Sequence, residues 1–423
     1  MYRGTAENEQ QPYEVLISGR LYDCRGFKHP GGSILRFFSG FGDATEAFLE
    51  FHERLPKAKK LLQMLPSRVA PSTGNKDPKE TARLEKLSRD FRKLRDDFYQ
   101  EGHFEPSYIR AIYLLSELIV MHAIGLWVLM NTTYWIPACI ILGIAEGRCG
   151  WVEHECGHYS FFGIPWLDQK IQEICYGFGD GMSAAWWRTQ HNKHHAAPQK
   201  LRHDVDLETL PLVAFNRTVA KRVRKNKWAR SWISLQAYLF APVTTSLVAL
   251  YWQLFLHPKH MIRRRCYTEI ISILCRVLCI IAVCYRMQFT VLESITGYLF
   301  LQSFGAIYIF VQFSLSHSHL NVLSANEQVH WVEHASIYTM NISSHWMTNW
   351  WMGYLNFQIE HHLFPCMPQF RFAKLYPRVR AFFEENGLKY DSRPYFEALA
   401  MTFRNLKYVS DVFHETSQEK LIK

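Results

Sequence analysis

The sequence predicts two unlike domains: a small α+β module, then an all-α membrane domain with about four transmembrane helices and a cytosolic histidine-rich cap. Three observations carry this. Apolar runs of about 20 residues, the length that crosses a bilayer, recur between positions 109 and 313. Histidine makes up 20 of 423 residues, and seven of those 20 fall in three short clusters flanking the runs. A stretch rich in Pro, Gly and charge, 66–84, sets off an N-terminal segment with its own strand and turn signals. The expected boundaries are 11–70 for the module, 71–101 for a linker and amphipathic interfacial helix, and 102–410 for the membrane domain. A net charge of +10 alone fits nucleic acid or a membrane surface. Aromatic residues at 15% together with the apolar runs favour the membrane and argue against a nucleic-acid partner. A mean hydropathy of −0.15 implies that much of the mass lies in water. Ten cysteines without CxxC spacing fit a reduced, cytosolic face.

In the N-terminal segment, residues 13–17 alternate weakly and Ser18-Gly19 supplies a turn before Leu21-Tyr22. His29-Pro30-Gly31-Gly32 follows; proline fixes the chain and two glycines let backbone approach a flat ligand. DATEAF (43–48) then leads to His52. Two imidazoles fill both axial positions of a haem iron, which suits electron transfer rather than oxygen binding. HPGG followed by DATEAF and a histidine resembles the cytochrome b5 family. The resemblance implies haem b with His29 and His52 as its axial pair. Tyr13 stands where relatives often carry Trp, a departure that bears on packing more than on ligation.

Beyond the linker, Leu84, Leu87, Phe91, Leu94 and Phe98 repeat at three- and four-residue steps, with Lys86, Arg89, Arg92, Lys93 and Arg95 between them. This is a basic amphipathic helix, expected on the lipid headgroups or, equally, against protein. Five apolar runs follow: 109–130, 133–145, 233–256, 269–285 (interrupted by Arg276) and 290–313. If all five crossed, the last histidine cluster would face the opposite side from the first two. The run 233–256 is therefore expected to lie in the interface or dip back. Its flanks, KRVRKNKWAR (221–230) and KHMIRRR (259–265), are both strongly basic and belong on the cytosolic face. The tail from 371 onward is polar, with a short helix expected to start at Pro377 and another over 395–406.

Three clusters carry the chemistry: His154 and His158 in HECGH, His191, His194 and His195 in HNKHH, and Gln358, His361 and His362 in QIEHH. Neutral imidazole is the commonest ligand for transition metals, and positions three and four apart share a helix face. Each cluster is thus expected to present its side chains in one direction. At this histidine content, HxxHH arises by chance roughly 0.04 times in such a chain. HECGH also fits HExxH, the zinc-protease signature. That reading leaves the other clusters and the HPGG histidines without a role. Zinc has no redox chemistry, and one zinc cannot use so many imidazoles.

The order HxxxH, HxxHH, QxxHH resembles the membrane fatty-acyl desaturases, and Gln at the head of the third box resembles the front-end subgroup, which carries a fused cytochrome-b5-like domain. The resemblance spans 11–410. It implies insertion of a double bond between an existing one and the carboxyl end of a polyunsaturated acyl chain, with Δ5 or Δ6 outcomes common. It implies two iron ions, O2, and NADH electrons arriving through a flavin reductase, with a fatty acyl-CoA or acyl-lipid substrate. It places the protein in the endoplasmic reticulum membrane, termini and boxes cytosolic. Carried onto this sequence, the metal ligands are His154, His158, His191, His194, His195, His361 and His362, with His317 (preferred over His319 in SLSHSHLNV) and Gln358 as further candidates. Asn341 is expected to hold a water near the metals, and Asp204 and Asp206 to orient imidazoles. Sphingolipid long-chain-base desaturases and acyl hydroxylases share the layout.

Overall fold

The computed structural model describes residues 13–39, 42–71, 77–207, 209–325 and 327–418; residues 11 and 12 of the expected module lie outside them. β1 (Glu14–Ile17) and β2 (Arg20–Asp23) form an antiparallel hairpin, and β3 (Ser67–Val69) pairs with the far edge of β2. Ser18 and Gly19 both take positive φ, the backbone a two-residue hairpin turn needs. α1 (Thr45–Phe51) and α2 (Pro56–Met64) complete the unit. Its small core is Val15, Ile17, Cys24 and Ala44, with Tyr13, Leu35, Phe48 and Leu62 packed against it.

α3 (Pro78–Gln100) starts on Asp77, whose side chain accepts from the Lys79 N–H, with proline at the first helical position. Its apolar stripe does not face lipid. Leu87, Phe91 and Phe98 are buried against Phe104, Phe364, Phe382 and Phe383. Each ring so buried contributes roughly 1.5–3 kcal/mol. The interfacial placement is thus corrected in favour of the packed alternative, because the stripe that would have met headgroups is already covered by the cap.

Among the described residues, four helices are long and apolar enough to cross a membrane: Tyr108–Asn131, Trp135–Gly157, Tyr267–Arg286 and Val291–Ser314. The second is central and mostly buried, whereas the other three leave large apolar faces exposed. The second and fourth cross where side chains are absent. A Cβ on Gly143 would stand 2.6 Å from the Leu301 carbonyl, and one on Gly305 would stand 2.8 Å from the Gly143 carbonyl. Arg276, which interrupts the third run, is buried; it meets Glu146 of the second span at 2.5 Å, and Gln302 of the fourth donates to the same carboxylate at 2.6 Å. A charge inside a membrane domain persists when paired in this way.

The run 233–256 is not among the four. It is divided between a helix, Lys227–Ser234, a turn, and a helical path whose Ser246–Leu256 segment is π-wound. Val248 on its inner face packs against Tyr176, Met182, Ala184 and Ala306. In the tail, the first helix begins at Phe372, not at Pro377, which lies inside it; the second runs from Tyr395 to Gln418.

Candidate metal centre

Box one ends the second span. The helix closes at Gly157 with His158 as its C-cap, so His154 and His158 emerge where the bundle meets the cap. Box two lies on the helix Ala184–Ala196, which Ser183 caps by accepting from the Trp186 N–H. Box three lies on a helix of one and a half turns, Gln358–Leu363, with every residue buried. That helix is held from below. The Asn341 amide donates to Glu360 at 2.7 Å and its carbonyl oxygen accepts from the Ile359 N–H at 2.8 Å, while Tyr390 donates to Glu360 at 2.6 Å. Asn341 is therefore spent on the protein, which corrects the expectation that it holds a water near the metals.

The eight histidines converge into two groups. His154, His158, His191, His195 and His361 form one; His194, His317 and His362 form the other, with ligand atoms within 4.8 Å of one another in each. The boxes do not each point one way, as the spacing alone implied. His191 and His195, four apart, serve the first group, and His194 turns to the second. His361 and His362, adjacent and so about 100° apart around a helix, split in the same manner. His317 joins the second group and His319 joins neither.

The donor chemistry fits cations. The His191 Nε2 lies 3.0 Å from both the His158 Nε2 and the His195 Nε2. In the second group, the His317 Nδ1–H donates to the Tyr338 carbonyl at 3.0 Å, which leaves a lone pair on Nε2. That atom faces the His362 Nε2 at 3.2 Å and the Gln358 Oε1 at 3.3 Å, so Gln358 borders the three-histidine group. Imidazole nitrogens turned toward one another in this way can present their lone pairs to a positive ion. The buried nitrogens of His361, the Nδ1 of His195 and the Nδ1 of His362 have no protein partner. Burial and the neighbouring rings hold most of these imidazoles neutral. Burial and then charged His194 pull His158 down to about 3, and the same two causes pull His317 down to about 4. His191, His195, His361 and His362 shift down as well, burial first.

His194 behaves oppositely. Burial opposes its charge, but Asp204 and then Asp206 outweigh burial and push it up to about 9. Its Nδ1 is 3.0 Å from the fully buried Asp204, which leaves Nε2 for a metal. Asp206, with its side chain largely exposed, reaches the same nitrogen at 3.2 Å. Both aspartates thus stand where the sequence placed them, on a ring rather than on the ion. Glu155, the water-activating residue of the protease reading, instead accepts from the Gln369 N–H at 3.1 Å.

Sequence reasoning missed Gln369, whose amide lies 2.6 Å from the His154 Nδ1, and the Tyr338 carbonyl; neither has a spacing relation to a box. It left His334 unassigned. That ring is buried beside the second group, its Nε2 lacks a partner, and burial pulls it down to about 3. His330 caps its own helix and bonds Ser88 at 2.8 Å. In the N-terminal unit, the His29 and His52 rings are 6.0 Å apart and nearly perpendicular. His52 donates through Nδ1 to the Phe48 carbonyl at 2.9 Å, which frees Nε2 for a metal. His29 Nδ1 lies 3.0 Å from the Gly31 N, so its ring must exchange that contact on ligation.

Comparison with known proteins agrees with this geometry. The family described as Fatty acid desaturase matches residues 131–394. An acyl-lipid (8-3)-desaturase of Thraustochytrium sp is 44% identical over 410 residues, covering 95% of this chain and 93% of the relative. Another of the same name from Rebecca salina is 47% identical over 406 residues, covering 95% and 92%. The human fatty acid desaturase 3 is 27% identical over 422 residues, covering 94% and 90%. With five histidines gathered in one group and three in the other, and this similarity along nearly its whole length, the chain belongs to the fatty acid desaturase family and is an oxygen-dependent oxidoreductase.

Proposed function

We propose that the protein is a front-end desaturase that inserts a double bond between an existing one and the carboxyl end of a polyunsaturated acyl chain, Δ5 or Δ6 in outcome. The single observation that carries this is the convergence of three boxes and His317 into two adjoining groups of imidazole nitrogens. The relatives named acyl-lipid (8-3)-desaturase support an acyl-lipid substrate. Residues His154, His158, His191, His195 and His361 hold one iron, and His194, His317 and His362 the other, with Gln358 at the edge of the second. When bound, such a pair supplies O2 activation and removal of two hydrogens from an unactivated chain. Asp204 and the Tyr338 carbonyl fix the tautomers of His194 and His317. α3 and the first tail helix pack against Ile359 and Leu363 of the helix that carries box three.

Residues 11–70 are read as a haem b module, on the HPGG pattern and the opposed rings of His29 and His52. It takes electrons from an NADH-dependent flavin reductase. The protein is placed in the endoplasmic reticulum membrane with termini and cap cytosolic, on the basic flanks at 221–230 and 259–265. Glycosylation at an acceptor engineered into 259–265 would reverse that topology.

Yeast expressing the protein and fed single polyunsaturated acids gives the decisive assay, with double bonds located by mass spectrometry. A new double bond on the carboxyl side of an existing one is expected, and H361A and H362A abolish it. A ceramide or hydroxylated product would replace the reading.

A further inference from the structure

Phe51 is the last residue of α1 and the covalent neighbour of His52. Its ring leaves the N-terminal unit and reaches the cap. The centroid is 6.3 Å from that of His195, at 83°, and 5.9 Å from that of Trp331. One side chain thus joins a candidate haem ligand, through a single residue of backbone, to a candidate metal ligand. The pose is held by charge. Arg95 of α3, only 11% exposed, meets fully buried Glu50 at 2.5 Å and also pairs with Glu53; Arg92 meets Glu46 at 2.7 Å. Glu46 and Glu50, four apart on α1, and Glu53 just past its end thus anchor to α3 the segment that carries Phe51. Below them, the Cys366 thiol donates to the Glu50 carbonyl at 3.1 Å and is 2% exposed.

We propose that Phe51 is the residue through which electrons cross from the haem module to the five-histidine group, and that Arg95 is the positioning residue that keeps it there. This rests on the haem and di-iron readings above. With haem bound by His29 and His52 and iron by the histidine groups, each crossing would take one electron from the reduced haem, leaving it oxidised by one electron, and would deliver it to the iron beside His195. One double bond uses two such electrons: RCH2–CH2R′ + O2 + 2 e⁻ + 2 H⁺ gives RCH=CHR′ + 2 H2O. An aromatic ring at position 51 replaces a through-space gap with polarisable density. A fixed ring keeps the distance constant between turnovers.

The test uses the full-length protein with haem and iron in place. The haem is reduced without oxygen, then mixed with O2 and acyl substrate, and its reoxidation is followed by absorbance. F51L is expected to slow reoxidation by about tenfold or more, with the reduced haem spectrum, midpoint potential and iron content unchanged; F51Y restores the rate. R95Q slows reoxidation too, and in addition raises the rate at which a maleimide labels Cys366, read by peptide mass spectrometry, whereas F51L leaves Cys366 protected. R95K recovers part of both effects. Reoxidation of F51L within twofold of the parent overturns Phe51 as the route, and R95Q with Cys366 still protected overturns Arg95 as the latch. A parent protein with no low-spin haem spectrum overturns the haem reading itself, and the proposal with it.

Discussion

The two histidine groups are built on different plans. The five-histidine group is rich in rings and poor in braces. The His195 Nδ1 and both nitrogens of His361 have no protein partner, and the Gln369 amide on His154 is the principal outside support. The three-histidine group is poor in rings and well braced, with Asp204 on His194 and the Tyr338 carbonyl on His317. The first gains tolerance from redundancy. The second depends on each ring arriving already oriented, since a set of three has no spare. A shared helix, Gln358–Leu363, couples them by sending adjacent histidines to opposite sides.

The largest expected effect separates them directly. His317→Ala leaves two histidines in its group and should cost one full equivalent of iron and all product. His191→Ala leaves four and should retain both metals with reduced turnover. Iron content by elemental analysis, beside product by mass spectrometry, decides it; equal iron loss in both variants would erase the contrast. Next in size, Asp204→Asn should weaken one metal by 10–100-fold, and Gln369→Ala should weaken the other by less. Chelator competition on the purified variants measures both, and the reverse order would break the comparison.

A third effect is pH dependence of the metal-free protein. His158 and His317 have folded pKa values of about 3 and about 4, lowered chiefly by burial, against an ordinary value near 6.5. The unfolded chain therefore binds protons that the fold refuses, and stability is lost as pH falls from about 6.5. His194, raised to about 9, contributes stability that is complete below about 6.5 and is lost as pH rises through about 9. Thermal melts should fall on both sides of neutrality. Asp204→Asn should flatten the alkaline limb alone, and an unchanged alkaline limb would detach His194 from Asp204. The smallest effect tests the shared element. Tyr390→Phe removes one hydrogen bond to Glu360, about 1 kcal/mol. It should lower the melting temperature by about 2 °C and weaken both metals equally. Unequal weakening would show that the helix serves one group more than the other.

Much of the site was legible because metal ligands on helices obey local spacing. HECGH, HNKHH and QIEHH could be read without any knowledge of how the chain folds, and seven of the eight grouped histidines stand in them. The four spans were legible for a similar reason, since length and hydropathy are properties of a contiguous stretch. The hairpin before HPGG followed from Ser18-Gly19. Misreadings arose where a segment had two compatible surroundings. The stripe of Leu87, Phe91 and Phe98 suits a headgroup layer as well as a protein core, and only the presence of Phe364 and Phe383 opposite it decides between them.

By itself, the sequence determined the ligand type, the number of boxes, the spans and the strand-and-turn start of the chain, because each is written in residues fewer than about ten apart or in an unbroken run. The tertiary structure alone decided how the histidines divide. That division sends His191 and His195 to one group and His194 to the other, and likewise separates His361 from His362. It also decided that Gln369, Tyr338 and Phe51 matter, since each acts on a ring more than twenty residues away. No local pattern records such contacts; they exist only once burial has brought distant segments together.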